Sequence, residues 1–381
     1  MTHSTQGSGA SRPGEVLYAS PFDRTGYAVA ARRYLRALQT VGVLPAWCGL
    51  RNTNWGYTPT PDLDTAPADQ ATLPRHATAE APLLAHCIPT SWRQLRQLIP
   101  DRRFIGQTVW ESDPIPSRWR TELSPAEQIW VPTSWNADIF RRSGISVPVH
   151  VVPHPVETVT PRAKDIELDP DDFVVLLVST WDRRKRPDLA IHAFLRAFGP
   201  DEPVTLVVKT DPHVLAWTTE QAVQRNTWWQ VMDVVRQYPN PARVLLVTEP
   251  YDDHEMSWLV QRSQCYLSLT CVEGWGLGAF DAAVDGVPLV ITGPGGQMEW
   301  LGDDHPGAVP HEIVPADHPD RTLFEEGMTW ALADVDAAAR MLREIYEGRS
   351  PITTAAPALA ARLRDQYSLE RVGATMKGLL A

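Results

Sequence analysis

Between Glu273 and Asp281 the chain reads Glu-Gly-Trp-Gly-Leu-Gly-Ala-Phe-Asp, two carboxylates eight residues apart with glycines at 274, 276 and 278. Glycines at a strand-to-helix turn strip away side chains, so free backbone N–H groups and the positive end of a helix can approach a phosphate. Carboxylates beside such a turn are good acceptors for the neighbouring hydroxyls of a sugar or a ribose. A loop whose glycines only permit tight helix-on-strand packing would have the same composition, and this segment alone does not separate the two. A second stretch, Ser179-Thr-Trp-Asp-Arg-Arg-Lys-Arg-Pro187, places four cations in a row. After a strand and before a helix, that charge suits a pyrophosphate, which needs neutralisation as its bond breaks. A solvated basic loop is the commoner fate of a charge run, but two anion-suited turns in one half of the chain weaken that reading.

Both stretches need strands and helices to hold them, and the apolar pattern predicts them. Apolar runs bounded by turn residues alternate with amphipathic stretches throughout, the signature of doubly wound parallel sheets. Strands are predicted at Glu15–Ala19, Leu83–Ile88, Arg103–Val109, Gln128–Val131 and Val147–Val152, with a helix from about Tyr27 to Leu38 and a long loop from Arg51 to Arg75. A second series follows at Phe173–Val178, Val204–Lys209, Arg243–Val247, Cys265–Leu269 and Val287–Ile291. The predicted domains are a disordered lead-in over 1–14, an N-terminal α/β domain over 15–157 and a linker over 158–172. A C-terminal α/β domain over 173–355 and a final helical segment over 356–381 complete the expectation. In open α/β sheets ligands bind beyond the carboxyl ends of strands, which makes the cleft between two such domains the expected site.

Composition narrows the function classes. The net charge is −11 and uneven: residues 1–150 hold 15 Arg against 12 acidic residues, the remainder 20 basic against 34 acidic. An acidic chain is a poor candidate for nonspecific binding of nucleic acid or anionic membranes, although the basic first half leaves an anionic acceptor, DNA included, open. No apolar run reaches the length of a membrane-spanning helix, and residues Met1 to Gly14 lack the apolar stretch of a secretory leader. Cys48, Cys87, Cys265 and Cys271 form neither a zinc nor a disulfide pattern, which fits a reducing cytoplasm. The 15 tryptophans, several beside Pro or Gly, point to ring surfaces in grooves, with core packing as the plainer alternative. Three Asp-x-Asp triplets, at 62–64, 169–171 and 334–336, lie in a loop, the linker and a helix start. They read as turn and cap residues rather than metal ligands.

Strand, basic loop with Lys, helix, and then Glu-Gly-aromatic-Gly-Leu with a second acid eight residues on: this order resembles the retaining glycosyltransferases of family four. The likeness is dense from Phe173 to Trp300. In the first half it rests on Gly106–Trp119, Trp130–Trp135 and Val152-Pro-His-Pro155. The resemblance implies the GT-B fold, two Rossmann-like domains with parallel sheets facing a central cleft. It also implies transfer of a sugar from a nucleotide diphosphate sugar with retention of configuration, without a bound metal or other cofactor. Carried over by position, Lys185 with Arg184 would contact the donor diphosphate, and Glu273 would hold hydroxyls of the transferred sugar. Gly274, Gly276 and Leu277 would face the phosphates. Asp281 stands where the family usually has a ribose-binding Glu, keeping the charge but losing a methylene. The final segment would cross back onto the first domain.

Further candidates come from the residues themselves. Gly26 sits in the first strand-to-helix turn, where the resemblance implies a close approach of donor phosphate or acceptor. His86 ends an apolar run, as a residue of the reaction centre or as a packed core histidine. Glu111 and Asp113, in Trp-Glu-Ser-Asp-Pro, are candidates for acceptor hydroxyls, or for capping a Pro-rich turn. Lys209 ends a buried strand, and Glu249 and Tyr251 follow the next one, suited to bordering the nucleotide. Two rival readings are a noncatalytic subunit that binds a nucleotide sugar or glycan, and a GT-B sugar-nucleotide epimerase. The first would leave activity unchanged in Glu273→Gln. The second would convert the donor sugar without releasing free nucleotide.

Overall fold

The computed structural model describes residues 14–53, 56–64, 66–213 and 226–381. The lead-in predicted over 1–14 lies outside them except for Gly14. The chain opens with β1 (Glu15–Pro21), α1 (Gly26–Thr40), β2 (Leu44–Thr53), β3 (Gly56–Pro59), α2 (Ala68–Ala71), β4 (Leu83–His86) and α3 (Trp92–Leu98). It continues with β5 (Phe104–Gln107), α4 (Trp119–Glu122), β6 (Gln128–Val131), α5 (Ser134–Arg142) and β7 (Val149–Val151). The first sheet has the order β3-β2-β1-β4-β5-β6-β7. Parallel pairing runs from β2 to β6, and β3 turns back antiparallel on β2.

The second series is β8 (Phe173–Val178), α6 (Pro187–Ala197), β9 (Val204–Lys209), α7 (Thr227–Val235), β10 (Arg243–Val247), α8 (Asp253–Gln261), β11 (Cys265–Ser268) and α9 (Leu277–Val284). After it come β12 (Leu289–Thr292), α10 (Met298–Leu301), β13 (Ala308–Val309), β14 (His311–Pro315) and β15 (Thr329–Ala333). Three helices close the chain, α11 (Val335–Tyr346), α12 (Pro351–Gln366) and α13 (Leu369–Leu380). The second sheet is parallel with the order β10-β9-β8-β11-β12-β13, and β14 and β15 form an antiparallel pair. β8 shows why these strands are apolar throughout: Val175 and Leu177 enter a core shared with α6 and α11, while Val174 and Leu176 enter a second core shared with α8, α9 and α12. A sheet covered by helices on both faces has no side left for polar residues.

The chain divides into two compact units, one of Met1–Thr108, Thr121–Trp130 and Leu369–Ala381, the other of Val109–Arg120 and Val131–Ser368. The segment expected as one C-terminal helix from 356 is two helices. α12 packs in the second unit, where Leu359 and Leu363 are buried and Arg362 Nη2 donates to the Trp300 carbonyl at 2.7 Å. α13 belongs to the first unit. There Gly373 lies so near the Ala37 carbonyl that a side chain would collide with it, and Lys377 Nζ donates to the Val41 carbonyl at 2.9 Å.

Three further expectations change. The loop predicted from Arg51 to Arg75 contains the end of β2, the return strand β3 and α2. An edge hairpin needs few buried side chains, here Tyr57, so its sequence lacks the strand alternation. The polar segment 158–172, expected as the linker, lies within the second unit: Arg162 N–H donates to the His254 carbonyl at 3.0 Å, and Ile166 and Leu168 pack on the second core. Among the described residues the tryptophans are mostly core residues. Trp47, Trp92, Trp119, Trp130 and Trp300 are fully buried, whereas Trp228 and Trp229 are exposed. Among the described residues no helix is long and apolar enough to cross a membrane.

Candidate active site

In the second sheet the strand order reverses between β8 and β11, which are hydrogen-bonded neighbours. The basic loop leaves β8 and the glycine-rich loop leaves β11, so the two turns singled out in the sequence emerge side by side at the switch point. Ligands bind at this point in doubly wound sheets. The backbones are tied together there: Cys271 N–H donates to the Arg184 carbonyl at 2.7 Å, and Thr270 Oγ1 donates to the same oxygen at 3.2 Å. α6 then starts at Pro187, with Arg186 before it in the left-handed region at φ 44°. Pro suits the first helical position because no partner is needed for its missing N–H.

At the centre Lys185 Nζ donates to Glu273 Oε1, while Arg184 Nη1 lies 3.4 Å from Glu273 Oε2. Arg184 Nη1 also donates to the Val272 carbonyl at 2.8 Å, and its Nη2 lies 3.4 Å from Glu111 Oε1. Side-chain exposure is 13% for Arg184, 14% for Glu273 and 25% for Lys185, so the charges are partly desolvated and their interactions strong. Burial pushes the Glu273 carboxyl up, but Lys185 and Arg184 outweigh it and hold the group below the usual carboxylate range. Burial likewise disfavours the Arg184 cation, and Glu111, Glu273 and Asp182 overcome it and raise the guanidinium further. Arg184 and Glu273 are thus both held charged at the head of α9.

The three glycines of the motif do different work. A Cβ on Gly274 would run into the Val109 side chain and lie 3.0 Å from the Trp110 carbonyl, and one on Gly278 would strike the Tyr266 hydroxyl. Gly276 is in the left-handed region at φ 79° and precedes Leu277, the first residue of α9. Asp281 follows one helical turn on from Leu277, half-buried. No motif in the sequence marks the turn Gly295-Gly296, yet it crosses this loop: Gly296 N–H donates to the Glu273 carbonyl at 2.7 Å, and a Cβ on Gly296 would overlap the Gly274 carbonyl. Because backbone would have to move, Gly296→Ala should destabilise by about 1–3 kcal/mol. A thermal midpoint unchanged from wild type would contradict this.

Glu111 is brought to this cluster through Arg184, but Asp113 is not. Asp113 Oδ2 accepts from Arg142 Nη2 at 2.7 Å, and its backbone bridges to Thr329. Asn136, which no sequence signal marks, clamps the Glu111 segment from α5: its Oδ1 accepts from Trp110 N–H at 3.3 Å and its Nδ2 donates to the Trp110 carbonyl at 2.8 Å. Lys209, at the end of β9, places its ammonium 5.2 Å from the centre of the Tyr251 ring, and Lys164 lies at 5.3 Å from it. Burial, with Glu249 and Glu255 nearby, pushes the Tyr251 hydroxyl up to about 12. Of the Asp-x-Asp triplets, Asp62 pairs with Arg51, Asp169 Oδ1 accepts from Asp171 N–H at 3.0 Å, and Asp334 caps α11.

The remaining candidates lie in the first unit. There β1 and β4 are neighbours, and Gly26 begins α1, exposed. His86 ends β4 at 3% exposure, its Nδ1 2.8 Å from the Tyr18 hydroxyl and its ring surrounded by Tyr18, Tyr27 and Tyr34. Burial pushes its pKa down to about 3. A neutral imidazole in such a cage can orient a partner by hydrogen bonding but does not carry charge near neutral pH.

Two Rossmann-type sheets, and a charged cluster at the switch point of the second, define the GT-B class of architecture, and solved structures bear this out. Anabaena HepE, in complex with UDP and glucose, superposes with a TM-score of 0.64 at 12% identity, over 96% of this chain and 99% of that one. Sucrose-phosphate synthase from Thermosynechococcus elongatus does so with 0.64 at 16% identity, over 96% and 98%. An alpha,alpha-trehalose-phosphate synthase (UDP-forming) from Burkholderia xenovorans, in complex with glucose-6-phosphate, gives 0.62 at 11% identity, over 96% and 99%. By sequence, no curated protein matches. Residues 134–376 match the family described as family 4 glycosyltransferases in conflict systems, and the chain belongs to that family. It is therefore a glycosyltransferase, as the resemblance carried by the basic loop and the glycine-rich loop together implies.

Proposed function

We propose that this protein is a retaining glycosyltransferase that takes a hexosyl group from a UDP-sugar and passes it to a hydroxyl acceptor, with no metal. The observation that carries the reading is the Arg184–Lys185–Glu273 cluster at the head of α9. Arg184, Lys185 and the N–H groups at Gly276 and Leu277 supply the positive field that a departing diphosphate needs, the role a divalent ion fills in other phosphate chemistry. Glu273, kept anionic, accepts from hydroxyls of the transferred sugar and fixes its ring. Asp281 is assigned to the ribose. Lys209 and Tyr251 are assigned to the nucleotide, and Glu111 to the acceptor side. In the reaction the anomeric carbon's bond to the phosphate oxygen breaks and a bond to the acceptor oxygen forms on the same face. The acceptor's proton passes to the departing phosphate. UDP as carrier is supported by HepE, whose structure holds UDP and glucose. Four free cysteines suit a reducing, cytoplasmic setting.

A thermal-shift screen against UDP, GDP, ADP, dTDP and CDP tests the donor half. At a hundred times its dissociation constant a ligand confined to the folded state stabilises by about 2.7 kcal/mol, a rise of several degrees. We expect UDP to stand out, and a flat response to all five would end the reading. Incubation with UDP-glucose and no acceptor should release UDP slowly. Conversion of the sugar without nucleotide release would identify an epimerase instead.

A further inference from the structure

Arg184, assigned to the donor phosphate, is held in place by its neighbours. Asp182 shapes the loop: its Oδ1 accepts from Arg184 N–H at 2.9 Å, and its carbonyl accepts from Arg186 N–H at 3.1 Å. The other carboxylate oxygen, Oδ2, faces inward at 7% side-chain exposure and meets His318 Nε2 at 3.3 Å. His318 is itself buried, at 1% exposure. Its Nδ1 accepts from Asp320 N–H at 3.1 Å, which puts the ring proton on Nε2 and aims it at Asp182. Burial pushes the Asp182 carboxyl up, but the bond from His318 and the charge of Arg184 prevail and hold it low.

His318 belongs to the excursion 316–328 between β14 and β15, a stretch with no motif in the sequence. Its ring packs against Phe324, with centroids 4.5 Å apart, and against Trp330 at 6.0 Å. Phe324 stacks on Trp110 at 5.2 Å and 25°, one residue before the Glu111 that pairs with Arg184. Glu325 Oε1 accepts from Ser117 N–H at 2.9 Å and from Ser117 Oγ at 2.7 Å. The excursion therefore reaches Arg184 from both ends, its backbone through Asp182 and its guanidinium through the Trp110–Glu111 segment.

We infer that His318 is a positioning residue for the donor diphosphate, acting through Asp182 on the backbone of Arg184, with the 316–328 excursion as the brace that holds it. Without the imidazole N–H, Asp182 Oδ2 is a buried anion lacking a donor. Such a group turns toward another partner or toward water. Either movement gives up the bond to Arg184 N–H and shifts the guanidinium off the diphosphate. The inference rests on the proposed function, because it needs Arg184 to meet a phosphate.

The test is isothermal titration with UDP, and competition by uridine, on wild type, His318→Ala, His318→Gln, Asp182→Asn and Asp317→Ala. UDP affinity should fall about tenfold in His318→Ala, in keeping with loss of one hydrogen bond to a charged group, while uridine affinity stays at the wild-type value. Asp182→Asn should do the same, since the two donors meet different carboxylate oxygens and the amide replaces one of these with an NH2 donor. It keeps the loop's packing if His318→Ala fails to fold. His318→Gln, which retains an N–H at that reach, should recover affinity to within about threefold of wild type. Asp317→Ala breaks the exposed Arg183–Asp317 pair joining the same two segments and should change UDP affinity less than twofold. Equal weakening of UDP and uridine, or unchanged UDP binding in folded Asp182→Asn, would overturn the inference and leave the function standing. Failure of wild type to bind UDP would instead remove the functional reading, and this inference with it.

Discussion

Glu273→Gln is expected to lower turnover by about two to three orders of magnitude while leaving the fold intact. The carboxylate sits between Lys185 and Arg184 at 14% side-chain exposure. If it accepts from hydroxyls of the transferred sugar, neutralising it weakens two charge-assisted hydrogen bonds, each worth about 1.5–3 kcal/mol. The amide keeps the side chain's volume, and the contacts of Gly295 and Gly296 are with the backbone of this loop, which the change leaves alone. Initial rates of UDP release from UDP-glucose, read beside UDP affinity, check the claim: the rate should fall far more than the affinity. A rate within a few-fold of wild type would refute the assignment and favour a noncatalytic binding subunit. The same variant carries a pH signature. Because the folded Glu273 pKa is depressed, its stabilisation is present above the unfolded value of about 4.3 and is lost as pH falls through the lower folded value. The difference in thermal midpoint between wild type and Glu273→Gln should therefore be steady at neutral pH and shrink below about pH 4. A difference that grew on acidification would mean that burial, rather than the two cations, governs the carboxylate.

Lys185→Ala should remove most of the thermal shift produced by UDP, weakening it about 10- to 100-fold, the usual scale for one charge-assisted contact to phosphate. Uridine binding should be unaffected, since the ammonium is assigned to the diphosphate alone. Arg184→Ala should weaken UDP at least as much and also lower stability, because the guanidinium contacts Glu111, Glu273 and the Val272 carbonyl together. Removing one partner from a buried ionic cluster strands the others, a cost of about 3–5 kcal/mol where burial is complete and less here at 13% exposure. Lys in its place would not restore it, lacking the fork that reaches two acids and a carbonyl. Equal loss of UDP and uridine in Lys185→Ala would show that the residue supports the loop rather than the ligand.

Much of the candidate site is legible in the amino-acid sequence because its parts are contiguous in the chain. The run from Asp182 to Pro187 and the run from Glu273 to Asp281 each follow a strand and lead into a helix, so local residue types announce local geometry. β8 and β11 stand out for a similar reason: a strand buried on both faces must be apolar along its whole length. Short edge elements such as β3 carry no such pattern, because one buried tyrosine satisfies them.

What the chain alone determined is the chemistry on offer: cations, a carboxylate and glycines after strands that must be buried. Only the tertiary structure decided which of these meet. Strand order places the β8 and β11 loops together although 88 residues separate Lys185 from Glu273. Glu111 joins the cluster while Asp113 turns to Arg142, and His86 is sealed among tyrosines. His318 and Asn136 have no sequence signal, since a residue that acts by holding another's backbone needs only one donor or acceptor at the right point in space. Such a requirement constrains distance and direction, and leaves no spacing in the chain to read.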